Sequence, residues 1–170
     1  MENDKKLRVA AYVRVSEETK ETQHSLHAQE EFYRRQIQER AAWELAGIYK
    51  DNGIFGTEIK RREGLVSLIS DCEAGKIDVI LVKSVSRFAR NTLDLLRIVR
   101  HLKQLGISVR FEEQNIDSLT EEGELLLTLM ASVAQAESES ISENVKWQFA
   151  SLPKRNRKYK TQNLRLSLGS

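Results

Sequence analysis

The sequence predicts an α/β fold, in which parallel strands alternate with helices, and three features of the chain favour it. Short apolar runs of strand length alternate with segments whose apolar residues recur at helical spacing. Gly75 and Gly106 each follow a predicted helix and precede a predicted strand, where a residue in the left-handed conformation commonly ends a helix. From about Thr120 the helical pattern continues without a break. These features predict a βαβ series followed by one long helix.

Seven elements are predicted before the long helix. The first strand alternates between apolar and polar residues, the first helix carries an apolar stripe that faces the core, and the third strand is almost wholly apolar. The predicted elements are, in order, a strand at 7–15, a helix at 25–42, a strand at 44–49, a helix at 63–73, a strand at 77–82, a helix at 92–105 and a strand at 107–112. The Gly-rich stretch at 51–61 is interpreted either as an ordinary connection or as an element that closes over a site.

The end of the first strand carries a hydroxyl beside a guanidinium. Alternation along the strand places Tyr12, Arg14 and Ser16 on one face, and Ser16 at the rim where ligands bind in α/β folds. A guanidinium can bind a phosphate oxygen and stabilise the charge that a hydroxyl nucleophile creates. The pair therefore indicates phosphate chemistry. The alternative is that Ser16 only caps the following helix.

A second strand-to-helix junction carries two more cations. Arg87 and Arg90 follow the third strand, whose carboxyl end opens on the same side as Ser16 because successive βα units share polarity. If the helix has begun by Arg87, the i to i+3 spacing places both guanidiniums on one face. The two junctions together predict a site that attracts anions.

Five motifs in order along residues 7–147 carry a family resemblance. They are Tyr12-Val-Arg14-Val-Ser16, Ser25-Leu-His-Ala-Gln29, Arg62-Glu-Gly-Leu65, Ser86-Arg87-Phe-Ala-Arg90-Asn and Ala134-Gln-Ala-Glu137. With them the chain resembles the catalytic domain of the serine recombinases, the resolvase/invertase family, and the segment around Ser86 is most similar to the large serine recombinases of mobile elements. The resemblance implies a three-layer α/β/α resolvase-like domain with a mostly parallel sheet, followed by a long C-terminal oligomerisation helix.

The resemblance also implies a reaction. Ser16 would attack a phosphodiester of double-stranded DNA and form a 5′-phosphoserine intermediate, which is rejoined to give DNA integration, excision or inversion. Arg14, Arg62, Arg87 and Arg90 would stabilise the charge that builds up, with Arg61 as the register alternative to Arg62. No cofactor, metal or small-molecule substrate is implied.

Three further residues are assigned supporting roles. Tyr12 is interpreted as a site residue or as plain packing between sheet and helix. Gln29 interrupts the inward stripe of the first helix, so it is expected either to orient the site or to reach solvent at the edge of that stripe. Ser86 stands where small resolvases carry an acidic residue, so the general acid is left unassigned.

The long helix is predicted to pack on the core where it begins and on another protomer farther along. Its apolar stripe is broader than that of a lone surface helix, and the resemblance implies a homodimer and a synaptic tetramer. The predicted interface residues are Leu129, Val133, Ala134, Glu137, Ile141, Glu143 and Val145. The alternative is a helix that only caps its own domain.

Charge is distributed unevenly along the chain. Residues 151–170 contain six basic residues and no acidic one, whereas residues 1–150 contain 21 basic and 25 acidic residues. Such a tail is expected either to bind DNA without sequence preference or to act as a solubilising extension. The predicted nucleic-acid contacts are Lys154, Arg155, Arg157, Lys158 and Lys160. The predicted organisation is a catalytic core at 1–118, the long helix at 119–147 and the tail at 148–170.

Composition fits an intracellular protein. Cys72 lies on an apolar helix stripe and is expected to be a core thiol, and the three histidines form no metal-binding pattern. No apolar run has membrane-spanning length, so a cytoplasmic protein is predicted. The resemblance implies that it is bacterial or phage-encoded and nucleoid-associated. The second functional hypothesis is a catalytically idle, truncated assembly module that oligomerises with or inhibits a full-length recombinase.

Overall fold

The computed structural model describes residues 5–15, 20–52, 62–89 and 91–151, and within them it confirms the predicted α/β fold. The elements are, in chain order, β1 (Leu7–Val15), α1 (Lys20–Gln38), β2 (Trp43–Asn52), α2 (Glu63–Glu73), β3 (Val79–Val82), α3 (Val85–Phe88), α4 (Thr92–Gln104), β4 (Ser108–Phe111), β5 (Ile116–Asp117) and α5 (Glu121–Ser151). The residues up to Ala131 form one compact unit, and α5 from Ser132 onward belongs to a second.

The five strands form one sheet in the order β2-β1-β3-β4-β5. The first four strands are parallel, and only β5, which the sequence analysis did not predict, pairs antiparallel. The sheet is therefore mostly parallel, as predicted. The carboxyl ends of β1, β2 and β3 open at one edge of the sheet, which brings Arg14, Asp51 and the segment after Val82 together.

Helices pack on both faces of the sheet, which gives the predicted three layers. On one face, Tyr33 and Ile37 of α1 pack in a buried cluster with Val9, Ala11 and Val13 of β1. On the other face, the Tyr12 ring lies edge-on against the ring of Phe88 in α3, and Tyr49 donates a hydrogen bond to Asp71 of α2. The alternation predicted for β1 is thus confirmed.

Helix boundaries follow local chemistry at three predicted positions. The bounds predicted for α2 are confirmed, and Gly75 and Gly106 have φ angles of +73° and +75°, in the region that favours glycine. Asn91 caps α4, because its side chain accepts a hydrogen bond of 2.9 Å from the Asp94 amide. Cys72 is buried in α2, as predicted.

The predicted bounds of α1 and β2 are wrong. The first helix begins at Lys20 and ends at Gln38 rather than spanning 25–42. The second strand continues to Asn52, because it pairs with β1 along the whole length of that strand, with a register shift between Val9 and Ala10.

The condition that the helix predicted at 92–105 has begun by Arg87 is not met. The short helix α3 ends at Phe88, Ala89 is extended with φ −131° and ψ 153°, and α4 begins at Thr92. Arg87 therefore belongs to a short separate helix, so the condition for the i to i+3 argument is not fulfilled, and Arg90 itself lies outside the described residues.

The start of α5 packs on the core, as predicted. Leu127 is 3% exposed. A Cβ atom on Gly123 would lie 2.2 Å from the Asp117 carbonyl oxygen, so only glycine permits this close approach. Farther along, α5 exposes large apolar side chains.

An ion pair between Arg8 and Asp78 lies near the amino ends of β1 and β3, and it predicts how stability depends on pH. The Arg8 guanidinium donates to both carboxylate oxygens of Asp78, at 3.0 and 2.8 Å, and this holds the pKa of Asp78 below its usual value. A depressed carboxyl pKa stabilises the fold above the unfolded-state pKa, and the contribution is lost as the pH falls through the folded-state pKa. We expect Asp78→Asn to cost about 1 kcal/mol of unfolding free energy at neutral pH and progressively less in acid.

Urea unfolding of both proteins across the range from about pH 7 to pH 3 would measure this difference. A difference that stays constant as the pH falls would contradict the assignment of the stabilising pair to Arg8 and Asp78.

Candidate active site

Three of the predicted arginines gather at the carboxyl end of β1. Arg14 extends from β1, and its Nη2 donates a hydrogen bond of 2.5 Å to the Ser86 carbonyl in α3. Arg87 in α3 donates in return, from Nη1 to the Arg14 carbonyl at 3.0 Å. These reciprocal bonds fasten α3 to the end of β1 and anchor both guanidiniums at this junction.

Arg62, which immediately precedes α2, also extends to the carboxyl end of β1. Its Nη2 donates to the Tyr12 hydroxyl at 3.1 Å and to the Phe88 carbonyl, and its guanidinium carbon lies 5.7 Å from the centre of the Tyr12 ring. Arg62 thus contacts both β1 and the end of α3. Arg61, the register alternative, lies outside the described residues.

Asp51, which the sequence analysis did not single out, is the buried carboxylate behind these arginines. It is 6% exposed and accepts hydrogen bonds from the Tyr12 hydroxyl at 2.8 Å and from the amides of Gly64 and Leu65 at 2.7 and 2.9 Å. Those amides belong to the first turn of α2, where donors lack partners within the helix. Asp51 therefore caps α2 from a neighbouring strand.

The capping fixes where Arg62 lies. Arg62 occupies the N-cap position of α2 but makes no side-chain capping bond, so its guanidinium is free of that role. A Cβ atom on Gly64 would lie 2.2 Å from the Lys50 carbonyl oxygen, which shows how closely α2 approaches β2 here. Asp51 and Gly64 together set the position of Arg62 relative to β1.

Tyr12 links the buried carboxylate to the arginine. Burial raises the pKa of its phenol to about 12, a shift that Arg62 opposes and Asp51 reinforces. The protonated hydroxyl therefore donates to Asp51 and accepts from Arg62. Tyr12 also packs against Phe88, so packing and positioning are both present at this residue.

Ser86 and Gln29 lie in different surroundings. The Ser86 backbone is part of the arginine cluster, and its side-chain oxygen lies 3.0 Å from that of Ser84.

Gln29 is half-buried on α1, and its amide donates to the Ser25 hydroxyl at 3.2 Å. It lines a cavity of about 390 Å³ with Lys83 and Tyr33. Among the described residues, Gln29 makes no hydrogen bond to Arg14, Arg62 or Arg87.

The remaining predicted residues are distributed as follows. Ser16, Arg90 and the tail residues Lys154, Arg155, Arg157, Lys158 and Lys160 lie outside the described residues. On α5, Leu129, Val133, Glu137, Glu143 and Val145 are exposed and Ala134 is half-buried, while the side chain of Ile141 is not described.

A signal for Asp51 was present in the sequence. It is a carboxylate two residues beyond the predicted end of a strand next to β1, at the edge where functional groups of α/β proteins collect. The predicted end of that strand at residue 49 placed it in the following loop instead.

The described residues contain no cluster of metal-ligating side chains. Burial raises the pKa of the Cys72 thiol to about 12, so it stays protonated at neutral pH. None of the helices in the described ranges is both long and apolar enough to cross a bilayer.

Comparison with known proteins identifies the family. The family model described as "Resolvase, N terminal domain" matches residues 9–158. A resolvase family site-specific recombinase from Streptococcus pneumoniae has a similar structure, with a TM-score of 0.71 and 29% identity, covering 84% of this chain and 95% of that one. The N-terminal catalytic domain of TP901-1 integrase is similar with a TM-score of 0.56 and 26% identity, covering 78% of this chain and 97% of that one.

Curated relatives agree with these structures. Transposon Tn3 resolvase from Escherichia coli is 38% identical over 82 residues, which are 48% of this chain and 43% of the relative. The chain thus spans about half the length of the curated relatives it matches. The matched family segment runs from β1 through the whole of α5 and includes all three clustered arginines. The chain belongs to the resolvase N-terminal domain family.

Proposed function

We propose that this chain is the catalytic domain of a site-specific DNA recombinase that cleaves and rejoins DNA through a 5′-phosphoserine on Ser16. The observation that carries the proposal is the convergence of Arg14, Arg62 and Arg87 at the end of β1, where the next residue after Val15 is Ser16. Three converging guanidiniums suit a phosphodiester, because guanidiniums bind phosphate oxygens bidentately and keep their charge, and Ser16 is the hydroxyl residue that follows β1 in the sequence.

The chemistry needs the charge that these residues supply. As the bond from Ser16 Oγ to phosphorus forms, the bond from phosphorus to the 3′-oxygen breaks, and negative charge builds up on the nonbridging and leaving oxygens. Fixed cations at that place lower the barrier. The phosphoserine ester keeps the energy of the broken phosphodiester, so attack by a 3′-hydroxyl on the ester rejoins the strand and releases Ser16.

The proposed partners are double-stranded DNA and further copies of this chain, as a dimer and a synaptic tetramer. The relatives that support this are named as resolvases and site-specific recombinases. The proposed setting is a bacterial or phage-encoded mobile element.

The test is to trap the intermediate. The full 170-residue chain, fused at its C-terminus to a zinc-finger domain, is incubated with nicked suicide duplexes that carry the zinc-finger site beside a randomised core. Peptide mass spectrometry should find a nucleotide adduct on Ser16, and the Ser16→Ala protein should give none. No adduct despite confirmed DNA binding and dimerisation would overturn the proposal.

A second candidate function, assembly without catalysis, is favoured by the exposed apolar side chains of α5. In the first unit, Leu125 and Leu129, one helical turn apart, are 60% and 56% exposed. In the second unit, Val133, Val145 and Trp147 are 46%, 49% and 73% exposed. Exposed apolar side chains in such number mark interaction surfaces. Either set of side chains would bind a second copy of the chain whether or not Ser16 is active.

Association through α5 gives its own prediction. We expect Leu129→Asp and Val133→Asp each to raise the dimer dissociation constant by about tenfold or more, because each places a charge in an apolar contact. Ser138→Asp, at an exposed polar position of the same helix, is the matched control and should change association little. Sedimentation velocity over a concentration series measures the constants. A wild-type chain that stays monomeric at the highest concentration would contradict both the interface and the assembly function.

A further inference from the structure

Ser84 occupies an N-cap position but does not cap. It precedes α3 with extended backbone angles of φ −156° and ψ 163°, yet its side chain makes no capping hydrogen bond. A serine here ordinarily accepts from an amide in the first turn. Instead its Oγ lies 3.0 Å from the Oγ of Ser86, and the Val85 amide donates to the side-chain oxygen of Gln114 at 3.3 Å. The Ser84 hydroxyl has therefore been diverted from capping to Ser86.

The two hydroxyls differ in their access to solvent. Ser84 is 4% exposed, whereas Ser86 is exposed. Among the described residues, the Ser86 hydroxyl is the only hydrogen-bond partner of the Ser84 hydroxyl. A buried hydroxyl proton needs an acceptor, so Ser84 is best satisfied by donating to Ser86. The proton of Ser86 is then available for a second acceptor, and donation to its oxygen strengthens it as a donor.

Ser86 is placed where an anion would supply that acceptor. The Ser86 carbonyl accepts a hydrogen bond from the Arg14 guanidinium. The next residue, Arg87, donates from its guanidinium to the Arg14 carbonyl. The Ser86 side chain thus projects from the segment that binds one guanidinium and carries another. A phosphate held by these two arginines would lie beside that side chain.

We propose that Ser84 and Ser86 form a hydroxyl pair in which buried Ser84 orients Ser86 to donate a hydrogen bond to a phosphate oxygen of the DNA held by Arg14 and Arg87. The inference rests on the proposed function and adds two residues to it. Ser86 contacts the substrate, and Ser84 is a positioning residue that acts only through Ser86. This hydrogen bond stabilises negative charge on the phosphate, and no proton is transferred from Ser86 to the phosphate.

A double-mutant cycle tests the pair with the full chain fused to the zinc-finger domain. The rate of covalent complex formation is measured for the wild type, Ser84→Ala, Ser86→Ala and the double variant on a nicked duplex whose core is recovered from the randomised pool. We expect Ser86→Ala to slow the step about a hundredfold. Ser84→Ala should slow it about fivefold in the wild-type background, but less than about twofold in the Ser86→Ala background.

Two controls keep the result interpretable. Urea unfolding of each variant shows whether the fold is retained, and Ser86→Ala changes an exposed side chain, so it tests the substrate contact even if Ser84→Ala destabilises the protein. Equal losses from Ser84→Ala in both backgrounds, or a Ser86→Ala protein as fast as the wild type, would overturn the inference and leave the proposed function standing. A wild-type chain that forms no covalent complex would overturn both.

Discussion

Replacing Arg62 with alanine is expected to slow DNA cleavage by about 100- to 1000-fold, as the loss of one fixed donor to a developing oxyanion does in other enzymes. Arg62 is held by the Tyr12 hydroxyl and the Phe88 carbonyl through Nη2. The guanidinium is therefore already ordered, so binding a phosphate would cost little further entropy. DNA binding should fall much less than cleavage, because many phosphate contacts share the binding energy.

The adjacent arginine provides the matched control. Arg61→Ala removes the same charge one residue earlier, so it changes the net charge equally and should affect cleavage far less. Arg62→Lys keeps the charge but loses the planar fork and should fall between wild type and Arg62→Ala. Single-turnover rates and binding constants for the three variants separate these effects. Equal losses from Arg61→Ala and Arg62→Ala would show that net charge, and not the position fixed by Tyr12, is what cleavage requires.

The parts of this fold that were predictable are those set by local periodicity. Alternation along β1 predicted which side chains share a face, and Val9 and Tyr12 indeed lie on opposite faces. The bounds of α2 were predictable because Gly75, which follows it, adopts the positive φ that glycine favours. In both places the residues that decide the structure lie within a few positions of the element.

The parts that were missed depend on partners far along the chain. Asp51 accepts hydrogen bonds from residues 13, 14 and 39 positions away, so its sequence neighbours indicate a place near the end of a strand but not that the carboxylate is buried. The break after α3 is similar, because Phe88 is fixed by packing against Tyr12 and Phe111 rather than by the sequence around it. The two-residue strand β5 is too short for any periodicity to indicate.

Replacing Asp51 with alanine is expected to lower the free energy of unfolding by about 3 to 5 kcal/mol. The change leaves the Tyr12 hydroxyl and the amides of Gly64 and Leu65 without their acceptor, at a place where the carboxylate they bind is almost fully buried. The start of α2 would lose its cap, and Arg62, which stands at that start, would lose its fixed position. Urea unfolding measures the loss as a lower midpoint at unchanged slope.

Asp51→Asn separates the effect of losing the side chain's shape from the effect of losing its acceptor oxygens. The amide keeps one oxygen for an α2 amide but replaces the other with a donor, so we expect a smaller loss of about 1 to 2 kcal/mol. The two variants also separate stability from catalysis when they are compared under conditions where both are folded. If Asp51 acts on the reaction through Arg62, each variant should slow cleavage in the wild-type background and have little further effect in Arg62→Ala. Additive losses in that background would instead mean that Asp51 supports the fold alone and leaves the position of the guanidinium to Tyr12 and Phe88.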